Sequence, residues 1–118
     1  MSEPDVLVAC LCARWCGVCR DYAAVFEQVG ARHANLRFRW VDVEDDADLV
    51  DPVEVEDFPT LLVAVNGQAR FFGTITPQPA LLERMVQERA SEGDPALAAR
   101  EDIHALARRL GAAGSAPD

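Results

Sequence analysis

Val6-Leu7-Val8-Ala9-Cys10-Leu11-Cys12-Ala13-Arg14-Trp15-Cys16-Gly17-Val18-Cys19-Arg20 is the stretch from which the rest of the chain can be read. Its first half, Val6 to Cys12, is apolar without alternation, the pattern of a central parallel strand covered on both faces. From Gly17 onward the apolar residues Tyr22, Val25, Phe26 and Val29 recur at i, i+3, i+4 and i+7, with Arg20, Asp21, Glu27 and Gln28 on the other side. That spacing predicts an amphipathic helix. Cys16-Gly17-Val18-Cys19 therefore lies at a strand-to-helix junction, on the first helical turn, where unpaired backbone N–H groups and the positive end of the helix dipole favour a thiolate. Such a C-x-x-C reads as a redox dithiol, with Cys16 as the exposed nucleophile.

All four cysteines, Cys10, Cys12, Cys16 and Cys19, fall within ten residues of one another. A disulfide framework spreads its bridges across a fold, so this cluster points to chemistry instead. Two kinds of chemistry fit it. One is thiol–disulfide exchange; the other is a metal site, since four thiolates can hold zinc or an iron–sulfur cluster. Against the metal, residues on a buried strand are poorly placed to converge with a helix N-terminus into a tetrahedron. A third reading is a binding module that recognises a partner through a groove or its last helix, with the cysteine pair vestigial or structural.

Further along, Leu36 to Val43 carries the aromatic and β-branched residues of a second strand, and a short helix is expected around Ala47 to Val50. Thr60 to Val65, Asn66-Gly67 and Gln68 to Phe72 read as a β-hairpin with a two-residue turn. After Gly73, Leu81, Leu82, Met85 and Val86 mark the inner face of a helix closed by Ser91 and Gly93. The order is βαβαββα. Asp94-Pro95 then starts a further helix whose stripe, Ile103, Leu106, Ala107 and Leu110, is expected to dock on its own domain. The divisions expected are a domain over residues 1–92, a helical extension over 93–110, and a disordered tail over 111–118.

A length of 118 residues fits one domain. The formal charge of −9 repels phosphate backbones and anionic membranes, which argues against nucleic acid as a partner. Nine acidic side chains and no basic one lie between Asp42 and Asp57, a solvated acidic face. The longest strongly apolar run, Val6 to Ala13, is eight residues, against the ~20 a bilayer requires. The opening Met-Ser-Glu-Pro-Asp lacks the marks of a secretory signal, so the expected location is cytoplasmic. His33 and His104 are expected at the surface, and no motif supports a hydrolase or a kinase.

Residues 5 to 90 resemble the thioredoxin-like family. The likeness is carried by Ala13-Arg14-Trp15-Cys16-Gly17-Val18-Cys19-Arg20, by Phe58-Pro59-Thr60 before a strand, and by Gly73 after the hairpin. It implies an α/β fold of the short thioredoxin-like form, βαβαββα with a central mixed four-stranded sheet, plus the additional C-terminal helix. The opening strand and helix of full-length thioredoxins have no room before Val6. The resemblance implies a thiol-disulfide oxidoreductase in which Cys16 attacks a substrate disulfide and Cys19 resolves the mixed disulfide. It makes Pro59 a cis-proline opposite the dithiol. The backbone of Phe58 pairs with an extended substrate, while Trp15, Gly17, Val18 and Gly73 border the groove. Implied partners are a disulfide-containing protein or small-thiol substrate and a reductase or thiol donor for recycling. No cofactor, metal, nucleic acid or membrane is expected, and the expected form is a monomer.

The departures from the family point to a specialised relative. Val18 stands where the family usually has proline, Cys10 where it has a buried Asp that serves the resolving cysteine, Cys12 where it has a second tryptophan, and Trp40 where it has the lysine partner of that Asp. Cys10 and Cys12, two apart on one strand, point to one side, the side that lies under the dithiol in the resembling fold. They are either small buried hydrophobes or auxiliary thiols, one of which exchanges a disulfide with Cys19 or moderates its ionisation.

Overall fold

The computed structural model describes residues 6–13, 17–33, 36–50, 53, 55, 58–74, 79–88, 97 and 99–113. Its centre is the apolar run that opens the sequence, now strand β1 (Val6–Cys12), with every residue buried. β1 is parallel to β2 (Arg37–Asp42) on one side and antiparallel to β3 (Thr60–Val65) on the other, and β3 pairs with antiparallel β4 (Gln68–Thr74). The sheet order is β2-β1-β3-β4, the mixed four-stranded arrangement expected. Among the described residues four α-helices flank it: α1 (Gly17–Arg32), α2 (Ala47–Val50), α3 (Pro79–Glu88) and α4 (Glu101–Ala113).

The absence of alternation in β1 has a direct structural cause, because successive side chains enter two different cores. Val6, Val8, Cys10 and Cys12 join Tyr22, Phe26 and Val29 of α1 and Leu82 and Val86 of α3. Leu7, Ala9 and Leu11 join Val50 of α2 and Ile103, Leu106, Ala107 and Leu110 of α4. The sheet is thus a partition between two apolar layers.

Asn66 and Gly67 turn the hairpin with φ of 54° and 81°, the pair of positive angles a two-residue I′ turn requires. β4 then carries an irregularity: Val63 pairs with Phe71 but Ala64 pairs with Ala69. The extra residue resets the pleat, so that Ala69 and Phe72, of opposite parity, both pack on the α4 side while Phe71 packs on the α1 side.

The additional helix docks on its own domain, as its stripe predicts. Its start, however, is Glu101, and it continues through Gly111 to Ala113, into the stretch expected to be a disordered tail. Asp94 and Pro95, Ser91 and Gly93, and residues 114–118 lie outside the described residues. Tertiary contacts hold the last turn of α4. Arg37 Nη1 donates to the Gly111 carbonyl at 2.6 Å and Arg39 Nη1 to the Leu110 carbonyl at 3.1 Å, so two β2 guanidinium groups satisfy carbonyls left open at the helix end.

The two histidines are not bare surface residues. His104 is half-buried; its Nδ1 accepts from the Ala69 N–H at 3.0 Å and its Nε2–H donates to the Leu97 carbonyl at 2.8 Å, tying α4 to β4. His33 stacks on Phe38 and bonds the Glu83 carboxylate, which joins the end of α1 to α3. That bond, with Arg32 beside it, holds the Glu83 carboxyl below its usual range. The links to Ala69 and Glu83 were not legible locally because they span 35 and 50 residues of sequence. Among the described residues no helix is long and apolar enough to cross a membrane.

Candidate active site

The sheet register gathers the site at one end of the molecule. Leu11 of β1 pairs with Thr60 of β3, and Thr60 with Thr74 of β4, so the C-terminal ends of β1 and β4 meet the start of β3. One step past the Leu11–Thr60 pair the chain positions are Cys12 and Pro59. The Phe58–Pro59 peptide is cis, Pro59 is buried, and Phe58 packs against the layer that contains the cysteines. Gly73, expected just beyond the hairpin, lies within β4 opposite Leu61.

Helix α1 begins at this same end. Gly17 and Val18 are exposed, Val18 by 46%, and a Cβ added at Gly17 meets nothing within 4 Å, so the first turn faces open space. Cys19, the third residue of the helix, turns inward and is 1% exposed. Trp15 and Cys16 lie outside the described residues, and their roles rest on the sequence.

The sulfur of Cys19 is bonded to that of Cys12, seven positions earlier in the sequence, with Cα atoms 5.8 Å apart. The couple expected from the C-x-x-C was Cys16 with Cys19; the pairing in this structure is Cys12 with Cys19. Of the two auxiliary thiols, Cys12 is thus the one in covalent contact, because the last residue of β1 stands directly beneath the first turn of α1. Cys10 is a free, fully buried thiol whose Sγ lies 3.7 Å from Cys12 Sγ. Since Cys12 carries no hydrogen in the disulfide, Cys10 is the donor of this weak S–H···S contact.

Burial pushes the Cys10 thiol up to about 12, so at neutral pH it is un-ionised. Burial, and then the nearby Cys10, likewise push the pKa of the Tyr22 hydroxyl up and disfavour its ionisation; that buried hydroxyl has no hydrogen-bond partner among the described residues. The register sets Cys10 beside Trp40 of β2, as the departures from the family suggested, and Trp40 packs edge-on to Phe26.

The Cys10 shift has a signed consequence for stability. An unfolded thiol ionises near 9 and the folded one only near 12. Below pH 9 this contribution is fully present; as pH rises through the window the unfolded state alone releases the proton, and stability falls by up to ~1.4 kcal/mol per pH unit. Urea unfolding of a Cys12→Ala/Cys16→Ser/Cys19→Ala chain, in which disulfide formation within the chain is impossible, is expected to show that slope above pH 9. Adding Cys10→Ala is expected to remove it between pH 9 and 10, below the range in which the raised Tyr22 hydroxyl contributes; an unchanged slope in that window would mean Cys10 is not the titrating group.

Comparison with known proteins agrees with this geometry. The thioredoxin family model matches residues 1–87. Thioredoxin H9 of Arabidopsis thaliana is 33% identical over 72 residues, which cover 58% of this chain and 51% of that protein. A putative thioredoxin 2 of Streptomyces coelicolor is 30% identical over 84 residues, covering 70% of this chain and 62% of its own length. The chain therefore spans about half, and less than two-thirds, of the length of these relatives. The crystal structure of thioredoxin from Trypanosoma brucei brucei matches with a TM-score of 0.63 at 26% identity, covering 75% of this chain and 77% of the other. With a family model spanning all four strands of the sheet, a matching solved fold and a cis Phe58–Pro59 peptide at the start of β3, the chain belongs to the thioredoxin family.

Proposed function

We propose that this chain is a thiol-disulfide oxidoreductase, with Cys16 as nucleophile and Cys19 as resolving thiol, acting in a reducing cytoplasm on a protein or small-thiol disulfide. The observation that carries the reading is Cys19 itself. Its sulfur sits on the first turn of α1 and is already engaged in a disulfide, so the resolving position is built for sulfur–sulfur bonding. The dipole and open N–H groups of that turn favour a thiolate there.

In the forward direction the Cys16 thiolate attacks one sulfur of the substrate disulfide, and the other leaves as a thiolate that takes up a proton. Cys19 then attacks the Cys16 sulfur of the mixed disulfide, releasing the second substrate thiol and leaving Cys16–Cys19 oxidised. Two electrons pass from the protein to the substrate. The buried Pro59 offers no N–H beside the sulfurs, and Phe58, Gly17, Val18 and Gly73 border the same end of the sheet. A reductase or thiol donor returns the pair to the dithiol.

Titration in graded reduced and oxidised glutathione, with acid quench, alkylation and mass spectrometry, tests the reading. The expected result is a reversible two-electron couple that includes Cys19, together with turnover of a model disulfide. A Cys19→Ser variant is expected to accumulate mixed disulfides on Cys16, and sequencing them identifies the substrate. Stoichiometric zinc on the reduced protein, with no couple and no turnover, would overturn the proposal in favour of a metal site.

A further inference from the structure

Cys19 has two cysteines competing for it. Cys16 is its C-x-x-C neighbour in sequence, and Cys12 is its bonded partner in space. We infer that Cys12 is a second resolving cysteine, which takes Cys19 from Cys16 by internal exchange, buries the disulfide and returns Cys16 as a thiol. The inference rests on the oxidoreductase reading and extends it.

The step balances without any outside oxidant. Oxidised protein begins with a Cys16–Cys19 bond and a Cys12 thiol. The Cys12 sulfur, deprotonated, attacks Cys19 Sγ; the Cys12–Cys19 bond forms, the Cys16–Cys19 bond breaks, and Cys16 leaves as a thiolate that takes up the proton Cys12 gave up. The number of disulfides stays at one, and only its position changes.

Geometry allows this exchange at Cys12 and stops it there. Cys12 and Cys19 reach bonding distance with Cα atoms 5.8 Å apart, inside the ordinary span of a disulfide. Cys10 lies one pleat further back along β1, unbonded, with its Sγ 3.7 Å from Cys12 Sγ. The oxidising equivalent therefore rests between β1 and α1 and does not migrate deeper. The Tyr22 hydroxyl, buried and without a partner among the described residues, is a polar group in this same layer that the disulfide state leaves unused.

The functional consequence is a change of valency. With Cys12, Cys19 and Cys10 each at most 1% exposed, the stored disulfide is shielded from solvent. Cys16 is then a lone nucleophile whose mixed disulfides Cys19 cannot resolve until the stored bond is opened. A two-thiol reductase becomes a one-thiol partner trap when oxidised, and Cys16 is the chain's own thiol for reopening the bond.

The test is a time course on the full chain. Reduced protein is given a brief pulse of diamide, the oxidant is removed, and samples are acid-quenched, alkylated and mapped by mass spectrometry. The expected result is that the disulfide moves from Cys16–Cys19 to Cys12–Cys19 while the total thiol count stays constant, so that alkylation shifts from Cys12 to Cys16. In Cys12→Ala the disulfide is expected to remain at Cys16–Cys19 and Cys16 to stay unalkylated. In Cys16→Ser, oxidised to Cys12–Cys19, reduction by glutathione is expected to be slowed about tenfold or more relative to the wild type. A wild type that keeps Cys16–Cys19 with Cys12 alkylated throughout overturns the inference and leaves the oxidoreductase standing; no Cys19 disulfide and no turnover overturns both.

Discussion

Cys16→Ser is expected to abolish disulfide reduction, lowering turnover of a model disulfide on the order of 10³-fold or more. The reason is chemical. A serine hydroxyl does not ionise at neutral pH and cannot form the mixed disulfide, so the first bond of the cycle is never made. Neither remaining route replaces it: Cys19 is 1% exposed and held by Cys12, and Cys10 is fully buried and un-ionised. Urea unfolding measured in parallel separates lost chemistry from lost structure, and stability is expected to remain within about 1 kcal/mol of the parent. Turnover retained at a tenth or more of the parent rate would refute the role given to Cys16.

Removing α4 is expected to unfold the chain. Ile103, Leu106 and Leu110 are each 0% exposed and Ala107 is 2%, and they cover Leu7, Ala9 and Leu11 of the central strand. Truncating one buried Leu or Ile to Ala costs about 2–5 kcal/mol, whereas a domain of this size holds only about 5–15 kcal/mol in total. Losing three such side chains, and the cover over β1, exceeds that reserve. Truncation after Arg100 should therefore abolish the cooperative urea transition, and Leu106→Ala alone should lower stability by about 2–5 kcal/mol. A truncated chain that unfolds cooperatively near the parent midpoint would mean α4 is dispensable. The result matters because the family model ends at residue 87, before α4 begins. Among the described residues the other α-helix on this face of the sheet is the four-residue α2, too short to cover β1 alone. What read as an extension is part of the core.

Several features were legible because their physics is local. Val6 to Cys12 declares a doubly covered strand through seven residues without a polar side chain, and Tyr22, Val25, Phe26 and Val29 declare a helix through spacing. Asn66-Gly67 declares its turn because asparagine and glycine tolerate the positive φ that turn needs. The thioredoxin-like resemblance added the cis bond at Pro59, which composition and periodicity do not reveal.

Other features depend on how distant segments meet. The bulge that sends Ala69 and Phe72 to one face follows from the packing of both faces of β4, and no turn residue announces it. The guanidinium groups of Arg37 and Arg39 find the end of α4 more than 70 residues away. The choice of Cys12 over Cys10 as the partner of Cys19 is of the same kind. Both lie on the same side of β1, and sequence spacing alone distinguishes neither; the strand's last residue lies under the helix's first turn, while Cys10 is set one pleat deeper. By itself, then, the sequence determined the order of elements and the position of the C-x-x-C where β1 gives way to α1, because near neighbours encode backbone preference. Only the tertiary structure decided which sulfurs meet and which helix completes the core, because a disulfide and a packed face both depend on distances between elements that local sequence does not set.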